Sequence, residues 1–143
     1  MNSELHFVDT NVLVAATMPN HLHHHASHAR LAKLINGSLA CATHTLAEAY
    51  TTLTRPNRYG IPPTDAARII EQTSKTFKIV SLTASEYVRT METAALLGLA
   101  GPIIYDALLM ACARKIRAKT IYTWNVKHFQ RVAPELASII VEP

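Results

Sequence analysis

Short apolar segments with strand character alternate along this chain with longer segments of helical character. Strands are predicted over residues 5–8, 39–42, 78–82, 120–123 and 139–141. Helices are predicted from about residue 12, over 24–36, 45–54, 62–76, 83–97 and 103–117, and from residue 125. Because parallel strands are joined by right-handed helical crossovers, this order predicts an α/β domain. We expect three α/β/α layers around a mainly parallel central sheet of four or five strands.

The size and composition are those of an ordinary globular chain. The 143 residues are 49% hydrophobic and 17% charged, with only four glycines and no repetitive tract. This composition excludes a disordered tail, a collagen-like fibre and a disulfide scaffold. Cys41 and Cys112 are far apart in sequence, which favours reduced core packing over zinc or redox chemistry. We predict one domain over residues 1–143.

No segment of the sequence has the features of a membrane span or a secretory signal. The longest apolar stretch, residues 94–104, is interrupted by two glycines and a proline. It has about half of the ~20 residues that a spanning helix needs. The N-terminal segment carries Glu4 and Asp9 and lacks a basic region before its apolar residues. We therefore expect a cytoplasmic protein that does not contact membranes.

Three carboxylates stand beside apolar or small residues, which is unusual for charged groups. Asp9 follows the first strand, Glu48 lies within the helix predicted over 45–54, and Asp106 begins the helix predicted over 103–117. Each has an ordinary structural interpretation: Asp9 as a helix cap, Glu48 as a surface charge, and Asp106 as an anion at the positive end of a helix. Taken singly, none of them indicates catalysis.

Together these three carboxylates form a more specific pattern, because the carboxyl ends of parallel strands face the ligand crevice of an open sheet. Carboxylates that meet in one pocket repel each other unless a cation neutralises them. Oxygen ligands with room for water favour Mg²⁺ or Mn²⁺ over zinc, which prefers His and Cys. The sequence therefore predicts a divalent metal site at Asp9, Glu48 and Asp106.

Four motifs in order resemble those of the PIN domain, and within it the VapC-type toxins of toxin–antitoxin modules. The motifs are Phe7-Val8-Asp9-Thr10-Asn11-Val12-Leu13, Leu46-Ala47-Glu48-Ala49-Tyr50, Tyr105-Asp106-Ala107-Leu108-Leu109-Met110-Ala111-Cys112-Ala113 and Tyr122-Thr123-Trp124-Asn125-Val126-Lys127-His128-Phe129. The resemblance covers essentially the whole chain. It implies a PIN-like fold in which the three acidic positions hold Mg²⁺ or Mn²⁺.

The fourth acidic position of many PIN nucleases is not acidic in this chain. Asn125 stands there, and His128 occupies a nearby position that is sometimes acidic. An amide oxygen can coordinate Mg²⁺ or orient water without adding charge. We therefore include Asn125 in the predicted catalytic set. The sequence leaves open whether the site holds one metal ion or two. Asn11, Thr123 and His128 are predicted to support the site.

The resemblance implies a metal-dependent endoribonuclease that hydrolyses RNA with a metal-bound water and acts as a toxin. It also implies a cognate antitoxin that fills the acidic cleft, and a toxin homodimer. The alternative is a degenerate PIN domain that binds RNA or a partner protein without cutting. A flavodoxin-like nucleotide-binding module shares the α/β order, but the turn at Asp9-Thr10-Asn11 offers no glycine-rich phosphate cradle.

Two further clusters allow both a functional and a structural interpretation. The first is a set of basic residues that either guide the RNA backbone or form a solvated helix end. It consists of Arg114, Lys115, Arg117, Lys119 and Lys127. The second is a set of histidines that either binds a transition metal or forms an exposed helix entry. It consists of His21, His23, His24, His25 and His28.

Overall fold

A computed structural model describes residues 4–34 and 36–143. The strands in these residues are β1 His6–Val8, β2 Leu39–Ala42, β3 Lys78–Val80, β4 Thr120–Tyr122 and β5 Ile140–Val141. They form one sheet in the order β3-β2-β1-β4-β5, and every pairing is parallel. The α/β architecture with a five-stranded parallel sheet confirms the predicted fold class.

Helices cover both faces of this sheet. They are α1 Thr10–Thr17, α2 His24–Ala32, α3 Thr43–Thr54, α4 Pro63–Thr76, α5 Ala84–Leu96, α6 Ile103–Lys115 and α7 Val126–Val132. Neighbouring residues of β1 point to opposite faces, as the pleat of a strand requires. Phe7 packs in a core that contains Leu109, whereas Val8 packs in a core that contains Val12 and Leu53. The three predicted layers follow from these two cores.

The boundaries differ from the predictions in several places. Helix α2 ends at Ala32, because Lys33 and Leu34 donate to carbonyls three residues back and tighten the last turn. The predicted extension to residue 36 includes Ile35, which lies outside the described residues. Helix α3 begins two residues earlier than predicted, directly after β2. A 3₁₀ helix, Pro134–Ile139, precedes β5 and was not predicted.

The parallel sheet brings the carboxyl ends of β1, β2 and β4 to one edge. Asp9 follows β1, Thr43 begins α3 directly after β2, and Thr123 follows β4. At this edge the backbone N–H of Asp9 donates to the carbonyl of Tyr122 over 3.0 Å, which ties the ends of β1 and β4 together. None of the helices in the described residues is long and apolar enough to cross a bilayer.

Candidate active site

A cavity of about 260 Å³ lies at this carboxyl edge of the sheet. Its walls contain all three predicted carboxylates, Asp9, Glu48 and Asp106, although these come from three separate elements. Asn11 and Asn125 line the same cavity. The fold therefore brings together residues that are up to 116 positions apart in sequence, from Asp9 to Asn125.

Asp9 is the most deeply buried of the carboxylates, with 5% of its surface exposed. Its Oδ1 accepts from the backbone N–H of Thr10 at 2.7 Å, and its Oδ2 accepts from the Thr123 hydroxyl at 2.8 Å. Asp9 is the N-cap residue of α1, so the structural interpretation of this residue holds. It also lines the cavity, so capping and a role in the site are compatible.

The electrostatics of Asp9 depend on the other two carboxylates. Burial raises the pKa of Asp9 to about 6, although the hydrogen bonds from Thr123 and Thr10 oppose that rise. The negative charges of Glu48 and Asp106 contribute to the same rise. The ionised form of Asp9 is therefore less favourable than that of an exposed aspartate, and a positive charge in the cavity would stabilise it.

Glu48 lies in the second turn of α3 and is half-buried. Its Oε1 is buried and has no hydrogen-bond partner among the described residues. The Nε2 of His44, one helical turn earlier, is 3.2 Å from this oxygen, outside hydrogen-bond geometry. Burial raises the pKa of Glu48, and the charge of Asp106 adds to that effect. A buried carboxylate oxygen that lacks a donor is a ready ligand for a cation.

Asp106 lies in the first turn of α6, where the helix dipole stabilises an anion. Its Oδ2 is 2.6 Å from the Nε2 of His128, which α7 contributes. A histidine is therefore in direct contact with Asp106. This contact agrees with the supporting role predicted for His128.

Thr123 connects Asp9 to the loop that follows β4. The Thr123 side chain is fully buried, and its hydroxyl accepts from the backbone N–H of Asn125 at 3.0 Å and from Asn11 Nδ2 at 3.4 Å. The Oδ1 of Asn11 accepts from the backbone N–H of Trp124 at 3.2 Å. Asn11 and Thr123 thus hold the loop that carries Asn125 against the start of α1.

The predicted basic cluster does not line the cavity. Arg114 pairs with Glu135, Lys115 Nζ is 2.7 Å from Glu86 Oε1, and Lys119 Nζ is 2.7 Å from Glu4 Oε2. Helix α6 carries Asp106 at its start and Lys115 at its end, about 14 Å apart at 1.5 Å per residue. Arg117 follows that far end, whereas Lys127 lies in α7 beside Asn125.

The histidine cluster has structural contacts. The ring of His23 stacks on Trp124 with centroids 3.8 Å apart, and His24 Nδ1 lies 2.8 Å from the carbonyl of Ala15. His21 Nδ1 accepts from the backbone N–H of His23 at 2.9 Å. Throughout residues 4–34 and 36–143, no three His, Cys, Asp or Glu side chains are close enough to hold a metal ion as placed. The helix-entry interpretation is the one these contacts favour.

Three basic residues around the cavity were absent from the predicted active-site set, although His21 was part of the predicted histidine cluster. His21 and Arg58 line its wall, and His44 contacts Glu48. The ring of His44 stacks on Tyr105, with centroids 5.1 Å apart and planes 5° from parallel. Only His44 had a usable sequence signal, because it precedes Glu48 by four residues on one predicted helix. His21 and Arg58 come from loops whose positions depend on tertiary packing.

The residues of the cavity fit a hard divalent cation in their chemistry, although the three carboxylates as placed are not close enough together to hold one. The donor set is three carboxylates and an amide, which is the oxygen chemistry that Mg²⁺ and Mn²⁺ prefer. Glu48 Oε1 is buried without a hydrogen-bond donor, and burial together with the charges of Glu48 and Asp106 raises the pKa of Asp9. A cation would relieve both unfavourable features.

The pKa of Asp9 predicts that Mn²⁺ affinity weakens in acid. A cation binds the ionised carboxylate, and below a pKa of about 6 the folded protein holds a proton there instead. We expect Mn²⁺ to bind about tenfold more weakly at pH 5 than at pH 7, measured by calorimetric titration. The exposed carboxylate Asp65 serves as the control, since Asp65→Asn should leave this pH dependence unchanged. An affinity that is constant over this range would contradict the prediction.

Acid weakens Mn²⁺ binding, but protonation of Asp9 in acid stabilises the metal-free fold. The pKa of Asp9 lies above its unfolded value of 3.8, so the metal-free folded state binds the proton more tightly than the unfolded chain. This contribution to the stability of the metal-free fold is present below about pH 4. It is lost as the pH rises through about 6.

Comparisons with known proteins agree with this architecture. The family model described as PIN domain matches residues 6–134. The crystal structure of Mycobacterium tuberculosis VapC20, described as a sarcin-ricin loop cleaving toxin, superposes with a TM-score of 0.72 at 21% identity. That superposition covers 96% of this chain and 99% of the other. No curated protein sequence matches significantly.

Two other solved structures have the same fold, with similarly low sequence identity to this chain. A toxin-antitoxin complex from Klebsiella pneumoniae gives a TM-score of 0.66 at 18% identity and covers 96% of each chain. VapBC2 from Rickettsia felis, bound to a DNA fragment from its promoter, gives 0.65 at 19% identity, with 97% of this chain and 98% of that chain covered. The family model spans most of the sequence, and the fold agrees with it. The chain therefore belongs to the PIN domain family.

Proposed function

We propose that this protein is an Mg²⁺- or Mn²⁺-dependent endoribonuclease. The observation that carries the proposal is the convergence of Asp9, Glu48 and Asp106 on one cavity, where burial and the neighbouring negative charges raise the pKa of Asp9 and of Glu48. Carboxylates that serve only as helix caps or surface charges do not need to meet. Their meeting is expected where a cation binds and an anionic substrate reacts.

In this proposal Asp9, Glu48 and Asp106 hold the ion, and Asn125 completes the catalytic set. A bound Mg²⁺ or Mn²⁺ supplies positive charge at the reacting phosphate and makes a water molecule more acidic. The hydrogen bonds from Thr123 and Thr10 keep Asp9 oriented towards the cavity. Glu48 and Asp106 would turn from His44 and His128, which lie 3.2 and 2.6 Å from their carboxylate oxygens.

The assignment of RNA as the substrate draws on the family. The M. tuberculosis relative is described as cleaving the sarcin-ricin loop, which is an RNA. The present chain carries a formal charge of +4 at neutral pH, which favours association with a polyanion. The base sequence that is cut depends on cleft shape, so we assign only the class of substrate.

The direct test incubates purified protein with total RNA in Mg²⁺, in Mn²⁺ and in a chelator. We expect cleavage only with a divalent ion, with products mapped by end sequencing. The Asp9→Asn variant, prepared identically, measures contaminating nuclease. Cleavage at the same rate in wild type and variant, or none under any condition, would refute the nuclease.

A second candidate is a PIN domain that binds RNA or a protein without cutting. It is favoured by Asn125 at a position that is acidic in many PIN nucleases, which leaves three carboxylates rather than four. RNA binding that persists in a chelator, together with an absence of cleavage in Mg²⁺ and Mn²⁺, would support this candidate instead.

We also propose that the protein acts as a toxin with a cognate antitoxin and forms a homodimer. The Klebsiella and Rickettsia relatives are described as toxin-antitoxin assemblies. An antitoxin peptide would fill the acidic cavity with a basic side chain in place of the cation. The outer face of α5 exposes Tyr87, Val88 and Met91, and a second copy would cover this apolar surface.

Growth arrest on expression, relieved by the product of a neighbouring gene, tests the toxin assignment. Harmless expression of an active nuclease would count against it. Light scattering on the purified chain tests the homodimer. A monomer at micromolar concentration, with Met91→Glu behaving identically to wild type, would contradict that interface.

A further inference from the structure

One cation lines the acidic cavity without pairing with any of its carboxylates. Arg58 is exposed on the loop between α3 and α4, and its side chain reaches the wall shared with Asp9, Glu48 and Asp106. Within the described residues its guanidinium forms no hydrogen bond or ion pair, and its recorded contact is with the Tyr59 ring, 5.5 Å from the centroid. Its hydrogen-bonding capacity is therefore available to a ligand.

Five of the exposed cations in the described residues are paired with acids, and the others are not. Arg68, Lys75, Arg114, Lys115 and Lys119 each form an ion pair with an aspartate or glutamate. Arg58 stands beside more carboxylates than any of these residues, yet pairs with none. An arginine placed to neutralise the acidic cavity would be expected to contact one of its carboxylates. The position of Arg58 fits an incoming anion better than an internal counter-ion.

The loop that carries Arg58 is held in a defined conformation. The backbone N–H groups of Arg58 and Gly60 both donate to the carbonyl of Arg55, at 3.1 and 3.0 Å, and Ile61 donates to Leu53 at 2.9 Å. Gly60 adopts a φ of +58°, a left-handed conformation that closes this turn and favours glycine. Arg58 is thus presented from a fixed turn, which lowers the entropy lost on binding.

Arg58 is also the one cation among the described residues that line this cavity. His21 lines the same wall, but burial, with the charges of His23 and Arg58, lowers the pKa of His21 below its ordinary value of 6.5. His21 is therefore neutral at pH 7. The cavity combines an acidic centre, suited to a metal ion, with a single arginine at its exposed rim.

We propose that Arg58 binds a phosphate group of the RNA substrate at the rim of the acidic cavity. This inference rests on the nuclease proposed above and identifies a residue that would touch the substrate. A guanidinium matches two non-bridging phosphate oxygens through parallel N–H donors, which a lysine cannot reproduce. Such a contact offsets the repulsion between the RNA backbone and the carboxylates, and fixes the strand beside the metal site.

The test compares Arg58→Ala and Arg58→Lys with Arg55→Ala, which removes an exposed arginine of the same loop that does not line the cavity. Each is combined with Asp9→Asn to prevent cleavage, and binding of a fluorescent single-stranded RNA is followed by anisotropy at several salt concentrations. We expect Arg58→Ala to bind about tenfold more weakly, with a salt dependence lower by about one phosphate contact. Arg58→Lys should recover only part of the loss, and Arg55→Ala should bind unchanged.

Cleavage assays on variants that retain wild-type Asp9 separate this inference from the proposed nuclease. With wild-type Asp9, Arg58→Ala should raise KM or lower kcat/KM by about tenfold, while Mn²⁺ affinity changes by less than about threefold. If wild type cleaves RNA and Arg58→Ala cleaves and binds like Arg55→Ala, the role of Arg58 is refuted and the nuclease stands. If wild type does not cleave, the nuclease is refuted, and the anisotropy measurement alone decides whether Arg58 binds phosphate.

Discussion

Replacing Asp9 with Asn is expected to lower the rate of RNA cleavage by about a thousandfold or more. Asp9 is buried among the other carboxylates, and the substitution removes its negative charge while retaining nearly the same shape. A site that depends on a divalent ion loses several kcal/mol of transition-state stabilisation when that ion is no longer held. The measurement is the initial rate of cleavage of a fluorescent RNA in saturating Mn²⁺.

Asp65→Asn is the matched control for this substitution. Asp65 is an exposed aspartate in the first turn of α4, and its partner Arg68 is exposed as well. Its replacement should leave the rate within about twofold of wild type, because an exposed ion pair contributes little. If Asp9→Asn retains more than a tenth of the wild-type rate while remaining folded by circular dichroism, Asp9 does not hold a catalytic ion.

Replacing Thr123 with Val is expected to weaken Mn²⁺ binding and slow cleavage by about 10- to 100-fold. Valine preserves the shape of this fully buried side chain but removes the hydroxyl that donates to Asp9 Oδ2 at 2.8 Å. The same change removes the acceptor for the backbone N–H of Asn125. Asp9 would then lose an orienting donor, and the loop that carries Asn125 would lose its anchor.

Thr123→Ser is the control that separates the hydroxyl from packing. Serine keeps the donor and the acceptor and removes one buried methyl group, so it should retain Mn²⁺ affinity even if the protein melts at a lower temperature. Calorimetric Mn²⁺ titration and cleavage rates, measured on both variants, distinguish the contribution of the hydroxyl from that of packing. Equal losses in the serine and valine variants would show that packing, and not the hydrogen bond to Asp9, is what Thr123 contributes.

The fold was largely predictable because its determinants are local. The alternation of apolar and amphipathic segments predicted five strands in nearly their observed positions. The 3₁₀ helix Pro134–Ile139 was not predicted, since its pattern lacks the period of an α-helix. The end of α2 was also placed too late, because the tightening of its last turn has no clear sequence signal.

The centre of the site was predictable, but its surroundings were not. Asp9 follows a strand, and Glu48 and Asp106 lie on helices that parallel topology returns to one sheet edge. Arg58 lies in a loop, and its presence at the cavity depends on how α3 and α4 pack. The basic residues at the end of α6 were named in the sequence analysis as a cluster that could guide RNA. They do not line the cavity, because the direction of that helix carries them away from it.

Titration of Mn²⁺ into metal-free protein, followed by electron paramagnetic resonance of the free ion, tests whether the carboxylates of the cavity share a divalent cation. We expect saturable binding in wild type that is lost in Asp9→Asn and in Asp106→Asn, and retained in Asp65→Asn. Binding of equal affinity and stoichiometry in all four proteins, or none in wild type at pH 7, would contradict the metal site on which the proposed nuclease depends.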